Sequence, residues 1–224
     1  MLSLCVEIGA SMMLTRNVRG NVDPAEQLGG LAMGKPTPYR ASVVVPLPDE
    51  DVIARSFGNG YDPDTALNVL KMMSGTGDFF PALIGMVKAV FGEREIDAKH
   101  REVIILRAAS VLNCPYEWQA NEQMAHNAGL TTSETDTIAG NGPLTLDNLD
   151  ADYQLLIAAT DELLTSGTLT DDTLQALLDT FGTTTTRKYI ATIAWFSLLS
   201  LFLNGTRVPM ETTDKIGQRT SPLG

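Results

Sequence analysis

The sequence predicts an all-α fold, and three observations favour it. Leu, Ala, Met and Thr together outnumber Val, Tyr and Phe together in this chain of 224 residues, a balance that favours helices over strands. The apolar segment 103–112 directly follows the polar residues 99–102 and is too long for a short strand. Gly and Pro separate the apolar segments at intervals typical of helix lengths.

The first part of the chain predicts an irregular N-terminal arm over residues 1–60. Much of the Pro and Gly falls there and no sustained apolar period runs through it, so a helix at 50–56 is its one regular element. Beyond it, Pro63 opens a helix that runs to Met73. The next helix is predicted over 79–91.

Two central helices follow. Asp97 is placed to cap a helix whose interior is apolar on nearly every side, which predicts a position at the centre of the fold. A second helix begins after Asn113 with Pro115 near its start, and Gly129 is its predicted end.

The second half predicts four more helices, over 132–139, 150–166, 170–181 and 184–203. No repeat or linker divides the chain. We therefore expect one helical domain of about seven to eight helices over residues 61–208, followed by a mobile tail over 209–224.

The distribution of charge and the number of cysteines limit which partners and which cellular compartment we expect. Ten Asp and Glu and no Lys or Arg fall within 131–181, so we expect no nucleic-acid partner. Cys5 and Cys114 are the only cysteines, which argues against a disulfide framework.

The apolar run 189–203 is shorter than the roughly 18 to 20 residues of a spanning helix, and no basic region precedes the apolar N-terminus. We expect a cytoplasmic protein with no membrane partner.

One stripe of polar residues marks the helix after Asn113. Cys114, Glu117 and Asn121 are spaced at i, i+3 and i+7, so a thiol, a carboxylate and an amide share one helix face. A further acid, Glu102, lies near the start of the preceding helix. These residue types suit acid–base or thiol chemistry.

Several short sequences around this stripe recur in the order and spacing of a known family. They are Arg101-Glu102 followed by Val-Ile-Ile-Leu-Arg, Cys114-Pro-Tyr-Glu-Trp118, Ala128-Gly-Leu130, Asp161-Glu-Leu163 and Asn204. On these pieces, residues from about 64 to 208 resemble the carboxymuconolactone decarboxylase family, which includes alkylhydroperoxidase-like thiol enzymes. The resemblance implies an all-helical fold that assembles into trimers or hexamers, with the active site between helices near a subunit contact.

The resemblance also shows what this chain has changed. The family's thiol branch uses Cys-x-x-Cys followed after three residues by His, whereas Glu117 and Asn121 stand at the second and third positions here. Disulfide chemistry within the motif is therefore excluded. The decarboxylase branch uses a His as proton donor, assisted by a Glu on the preceding helix. Glu102 matches that acid, while Asn121 takes the place of the His.

We therefore expect a cofactor-independent, decarboxylase-like lyase or isomerase that acts by proton transfer on a small carboxylated or lactone-type organic acid. Glu102 and Glu117 are the expected acid and base, and Asn121 the donor to a developing oxyanion or to the substrate. The residues expected to line the substrate pocket are Cys114, Tyr116 and Trp118.

Other interpretations stay open. Glu117 could pair with Arg101 or Arg107 to neutralise a buried charge, and Glu102 could serve only the helix dipole. A second hypothesis is a catalytically silent oligomer that binds a small molecule or acts as a scaffold. A third is a thiol peroxidase that uses Cys114 alone.

The two histidines do not complete the stripe. His126 lies five residues after Asn121, roughly 140° around the helix, and His100 points elsewhere from its own helix. Neither shares a helix face with a second ligand at metal-binding spacing. We expect no metal and no cofactor.

Overall fold

A computed structural model describes residues 34–92, 95–141 and 145–224, and within these ranges the fold is all-helical with no strand. The predicted fold class is confirmed. The α-helices are α1 Glu50–Phe57, α2 Asn68–Ser74, α3 Phe80–Gly92, α4 Ala98–Val111, α5 Pro115–Ala128, α6 Thr132–Ile138, α7 Ala151–Ser166, α8 Asp171–Thr206 and α9 Thr213–Ile216. Short 3₁₀ turns cover Gly58–Gly60, Gly77–Phe79 and Leu146–Asn148.

Helix α4 is the centre of the structure. The Asp97 carboxylate caps its first turn by accepting from the Lys99 backbone N–H at 2.7 Å. Every side chain from Arg101 to Val111 is buried, as its all-round apolar pattern predicts. Helices α5, α7 and α8 pack around it.

Helix α5 carries the polar stripe and lies against α4. Pro115 occupies its first turn, where a missing N–H costs nothing. It ends at Gly129, whose φ of +102° is in the left-handed region that favours glycine. The Leu130 N–H then bonds back to the Ala125 carbonyl at 2.9 Å, which closes the helix and fixes the turn into α6.

Helix α8 joins the two helices predicted over 170–181 and 184–203. Gly182 breaks its regular dihedrals with φ 73° and ψ 167°, and the Thr186 hydroxyl donates to the Leu177 carbonyl across this break at 2.9 Å. By length and composition α8 could cross a membrane, alone among the helices of the described ranges. A core helix of a soluble protein passes the same criterion, and α8 contributes Tyr189 and Phe196 to the core.

The two ends of the described chain pack on this helical core. Residues 1–33 of the predicted arm lie outside the described residues, and residues 34–49 are irregular. The arm is held by Lys35, which pairs with Glu122 and Asp136 at 2.7 and 2.6 Å. The Tyr39 hydroxyl adds a bond to Asn204 Oδ1 at 2.9 Å.

The sequence predicts a mobile tail over residues 209–224, whereas the structure packs this C-terminal segment against α5. Glu211 and Ile216 are buried, and Asn127 Nδ2 donates to two carbonyls of the segment, those of Gly217 and Arg219, at 3.0 and 2.8 Å. The segment has too little apolar periodicity to predict this docking. Polar side chains from elsewhere in the chain supply the contacts.

A buried ion pair joins α4 to α7. Arg107 donates from Nε and Nη2 to the two carboxylate oxygens of Asp161, both at 2.6 Å, and from Nη1 to the Ile138 carbonyl at 2.9 Å. The guanidinium is fully buried, and the Asp161 side chain is 14% exposed. Breaking a pair of this kind costs far more than breaking an exposed one.

We predict that Asp161→Ala lowers the free energy of unfolding by about 3 kcal/mol, because Arg107 loses its carboxylate inside the core. Urea denaturation of the purified protein measures the loss. The matched control is Asp51→Ala, which removes the exposed Asp51–Arg55 pair within α1 and should cost much less, because water solvates both of its charges. Equal losses for the two variants would contradict a structural role for the buried pair.

Candidate functional site

The stripe on α5 brings Glu117 and Asn121 together as a hydrogen-bonded pair. Asn121 Nδ2 donates to the Glu117 carboxylate at 2.7 Å and to the Glu117 backbone carbonyl at 2.9 Å. Because a backbone carbonyl can only accept, the amide nitrogen and not the amide oxygen must face it. Both side chains are buried. The two N–H groups of Asn121 are therefore committed to holding the Glu117 carboxyl in place.

Glu117 and Asn121 line a small central cavity between helices. Measured to the centre of a water molecule, the cavity has a volume of about 20 Å³, which is room for about one water. Its walls are predominantly apolar. They are formed by Leu67, Val69, Leu70, Met73, Val87, Phe91, Tyr116, Glu117, Ala120, Asn121, Met124, Trp195, Phe196, Leu199 and Pro222. We call this space the central cavity.

Glu102 is the second buried acid, on α4. Its side chain is fully buried, and its Oε1 accepts from Arg101 Nε at 3.3 Å. Its Oε2 is buried with no hydrogen-bond partner among the described residues. Arg101 is itself buried; its guanidinium lies 4.6 Å from the Phe91 ring centroid and donates to the Thr220 carbonyl at 3.3 Å. The alternative that Glu102 serves only the helix dipole does not account for this environment.

The environment raises the pKa of both acids. Burial raises the pKa of Glu102 to about 7, against the opposing effect of the Arg101 charge. The pKa of Glu117 is raised to about 8, first by burial and then by the negative charge of Glu102, while the hydrogen bond from Asn121 opposes the rise. Near neutral pH the pair therefore holds a proton that it can deliver or take up.

The charge partners proposed for Glu117 bind other acids instead. Arg107 pairs with Asp161, and Arg101 contacts Glu102. Within the described structure the Glu117 carboxylate accepts from the Asn121 amide and not from a cation. The interpretation of Glu117 as half of a structural ion pair is therefore not supported by the geometry.

Cys114 begins α5 but lies away from the central cavity. Its thiol is fully buried, and it is not among the cavity-lining residues. Burial raises its pKa to about 12, the charge of Glu117 adds to the rise, and bonds involving Ser200 and Tyr39 oppose it. A thiol that holds its proton so firmly is a poor nucleophile at neutral pH.

The two aromatic residues of the motif have different positions. Tyr116 lines the cavity, while its hydroxyl donates to Glu211 and accepts from the Val69 N–H at 2.9 Å. Trp118 is buried outside the cavity, with the Lys35 ammonium 5.7 Å from its ring centroid. Of the predicted substrate-binding residues, only Tyr116 faces the space next to Glu117.

Neither histidine joins the site. His100 Nδ1 is 2.7 Å from the Tyr189 hydroxyl, and His126 Nε2 is 3.5 Å from the Thr135 hydroxyl. Across the described ranges no group of three or more His, Cys, Asp or Glu is placed to hold a metal ion.

Trp195 and Pro222 are among the cavity residues that the sequence did not predict. Trp195 comes from the middle of α8, where an apolar helix gives no signal that one residue faces a functional space. Pro222 comes from the C-terminal segment and closes one side of the cavity. Only the docking of this segment, through contacts such as Arg219 Nη2 to the Thr65 carbonyl at 2.7 Å, brings it there.

The family comparison matches the part of the chain that carries the polar stripe of α5. Residues 77–145 match the family model described as the Carboxymuconolactone decarboxylase family. The matched region contains Glu102, Cys114, Glu117 and Asn121, and it ends before α7 and α8. No curated protein matches the chain.

We predict that the free energy of unfolding falls as pH rises between about 5 and 8. The folded-state pKa values of Glu102 and Glu117, about 7 and about 8, lie above the unfolded value of roughly 4.3. The folded protein thus holds more protons in this window and loses stability as they leave. Each raised carboxyl contributes about 1.4 kcal/mol per pH unit while it is protonated only in the folded protein. Urea denaturation should therefore show a fall of about 2 to 3 kcal/mol per pH unit between about pH 5 and 7, and about 1 kcal/mol per pH unit from there to about pH 8.

In the same titration Glu117→Gln should roughly halve the fall between about pH 5 and 7 and remove most of it above about pH 7, because an amide cannot lose a proton whereas Glu102 still can. Asp78→Asn, at an exposed carboxyl, is the control and should keep the wild-type slope. A Glu117→Gln protein with the wild-type slope would show that Glu117 titrates as an ordinary carboxyl.

We also predict that Asn121→Ala raises the pKa of Glu117. In the wild-type protein the Asn121 N–H stabilises the charged carboxylate, and the substitution removes that hydrogen bond. A ¹³C NMR titration of glutamate-labelled protein follows the Glu117 carboxyl directly. Gln123→Ala, on the exposed side of the same helix, should leave that titration unchanged. A lowered pKa in Asn121→Ala would reverse the assigned role of the amide.

Proposed function

Since residues 77–145 belong to the carboxymuconolactone decarboxylase family, we propose that this protein is a cofactor-independent, decarboxylase-like enzyme that works by proton transfer. Its proposed substrate is a small carboxylated or lactone-type organic acid. Glu117 is the proposed proton donor and acceptor at the cavity, and Glu102 its proton partner. Isomerisation by the same proton transfer belongs to the same proposal.

The single observation that supports this proposal is a pair of buried, charge-coupled carboxyls, of which Glu117 lines an apolar cavity. A general acid or base works best when its pKa is close to the working pH, and the pKa values of Glu102 and Glu117 are raised to about 7 and about 8. Carboxyls exposed on the protein surface lack the burial that raises these two pKa values. Maintaining two such acids without a full set of partners is costly for stability, which is typical of functional sites.

The proposed reaction balances with these groups alone. In a decarboxylation the carbon–carboxylate bond breaks, CO₂ leaves, and its electron pair remains on an enolate. Neutral Glu117 then transfers its proton to the enolate carbon and becomes a carboxylate. Glu102, whose negative charge raises the pKa of Glu117, is the proposed group through which Glu117 regains its proton.

The proposed role of Asn121 changes from oxyanion donor to positioning residue. Its two N–H groups are used on Glu117, so it orients the carboxyl that moves the proton. Where the family's His would itself exchange protons, an amide cannot. This assignment places the whole of the proton transfer on the acids.

The alternative of a silent small-molecule binder is favoured by one observation. The central cavity measures only about 20 Å³, so under either hypothesis it accepts a ligand only after its walls move. The observation that favours the binder is Asn121, an amide at the family's His position that cannot exchange protons. Such a protein would bind a ligand tightly and leave it unchanged. The thiol peroxidase hypothesis receives less support, because burial raises the pKa of Cys114 to about 12.

We further propose that the protein is a homo-oligomer. Leu198 and Leu201 are exposed on α8, beside a predominantly apolar groove of about 400 Å³ that includes Leu112, Leu163 and Ile190. A contiguous apolar surface of this kind is typical of subunit contacts. The trimer or hexamer expected from the family resemblance would cover it.

The test is a turnover assay on a panel of small carboxylated lactones and β-keto acids in D₂O, which measures CO₂ release and deuterium incorporation together. Glu117→Gln and Glu102→Gln should lower turnover by about 10² to 10⁴-fold. Glu122→Gln, at a surface acid of the same helix that pairs with Lys35, should retain the wild-type rate.

Two outcomes would redirect the proposal. Wild-type turnover in both cavity variants would remove the acids from the mechanism. Tight binding without turnover, followed by a gain of activity in Asn121→His, would identify a silent binder that lost only its proton donor.

A further inference from the structure

We propose that the indole N–H of Trp195 is a substrate-binding donor in the central cavity, and that the cavity takes the carbonyl group of an uncharged, mostly apolar part of the substrate. This inference rests on the proposed function, because it names the group that the acids act beside. It adds a residue from α8, outside the family match that ends at residue 145.

The donor is buried and unused within the described structure. Trp195 is 5% exposed and lines the cavity together with Phe196 and Leu199 of the same helix. Its Nε1 atom is buried with no hydrogen-bond partner among the described residues. Buried N–H donors nearly always have partners, since an unsatisfied one costs free energy. An unpartnered donor on a residue of the cavity wall is therefore suited to an acceptor that arrives with the ligand.

The other residues of the cavity wall determine which ligand charge the cavity accepts. The described residues of the cavity wall include no Lys, Arg or His, so a ligand carboxylate placed against them would meet no cation. Glu117, with a pKa raised to about 8, is largely neutral at pH 7 and does not repel an uncharged oxygen. A ketone or lactone carbonyl fits an apolar wall that offers one N–H donor.

Trp195 and Glu117 then have complementary roles. The indole N–H binds the carbonyl oxygen and stabilises the negative charge that grows on it as an enolate forms. Glu117 transfers its proton to the adjacent carbon. Asn121 cannot supply the first role, because its N–H groups hold Glu117.

The chain offers a matched control for this residue. It contains two tryptophans, and Trp118 also has a buried Nε1 without a partner in the described residues, yet it does not line the cavity. In ¹⁵N-labelled protein the two indole N–H resonances are assigned by Trp195→Phe and Trp118→Phe. Both substitutions keep an aromatic ring, remove the indole donor and reduce the side chain by the same amount, so the two variants differ in position alone.

The experiment is an NMR titration of the Glu117→Gln protein, which binds without turnover, with three probes of similar size: cyclopentanone, methylenecyclopentane and cyclopentanecarboxylate. Cyclopentanone should shift the Trp195 resonance downfield and leave that of Trp118 in place. Methylenecyclopentane, which lacks the oxygen, and the carboxylate should not produce that shift. Trp195→Phe should weaken cyclopentanone binding by about tenfold, and Trp118→Phe should not change it.

The inference is overturned if cyclopentanone does not bind at millimolar concentration, binds without moving the Trp195 resonance, or binds Trp195→Phe as tightly as its parent. Its failure is distinguishable from failure of the proposed function. The titration measures binding in a protein that needs no turnover, whereas the proposed function depends on the rates of the Glu102 and Glu117 variants.

Discussion

The complete burial of helix α4 is the constraint on which the rest of the structure depends. Its apolar residues need only packing, but each buried polar side chain needs a partner brought from another part of the chain. Asp161 reaches Arg107 from α7. The Ser110 hydroxyl donates to the Gly34 carbonyl at 2.9 Å, and Arg101 donates to the Thr220 carbonyl. The N-terminal arm and the C-terminal segment are both attached to the core through this helix.

The same constraint creates the chemistry of the site. Glu102 is carried into the interior because α4 is buried, and Glu117 faces it from α5, which packs directly on α4. The two acids raise one another's cost of ionisation, and an apolar cavity beside them excludes the water that would otherwise solvate a charge. A rigid helix pair holds both groups without assistance from a loop. Reactivity here follows from where the acids are buried and not from any unusual residue type.

The sequence predicts the helices well because their signals are local. Asp97, Pro115 and Gly129 mark helix ends through their own backbone chemistry. The stripe of Glu117 and Asn121 also follows from spacing alone. By contrast, the docking of residues 209–224 depends on polar contacts with residues far away in the chain, such as Asn127.

Side-chain environments were harder to predict than helix positions. Trp118 follows Glu117 in the chain yet does not line the cavity, because neighbouring helix positions face different directions. Cys114 shares the helix face of Glu117 but precedes it by nearly one turn, at the start of the helix, and it does not line the cavity either. Trp195 is far from Glu117 in the chain and lies at the cavity wall. A single apolar helix such as α8 gives no indication of which residue meets a cavity, because core and cavity walls use the same residue types.

The closure of the cavity by Pro222 also has a kinetic consequence. The helices that form the other walls are packed into the core, whereas the segment around Pro222 is held largely through hydrogen bonds to single carbonyls, such as those of Gly217 and Arg219. A ligand that enters by displacement of this segment has to wait until the segment opens. When opening precedes entry, the association rate reaches a plateau at high ligand concentration, and the plateau equals the opening rate. Affinity and speed of capture are thus set by different parts of the molecule.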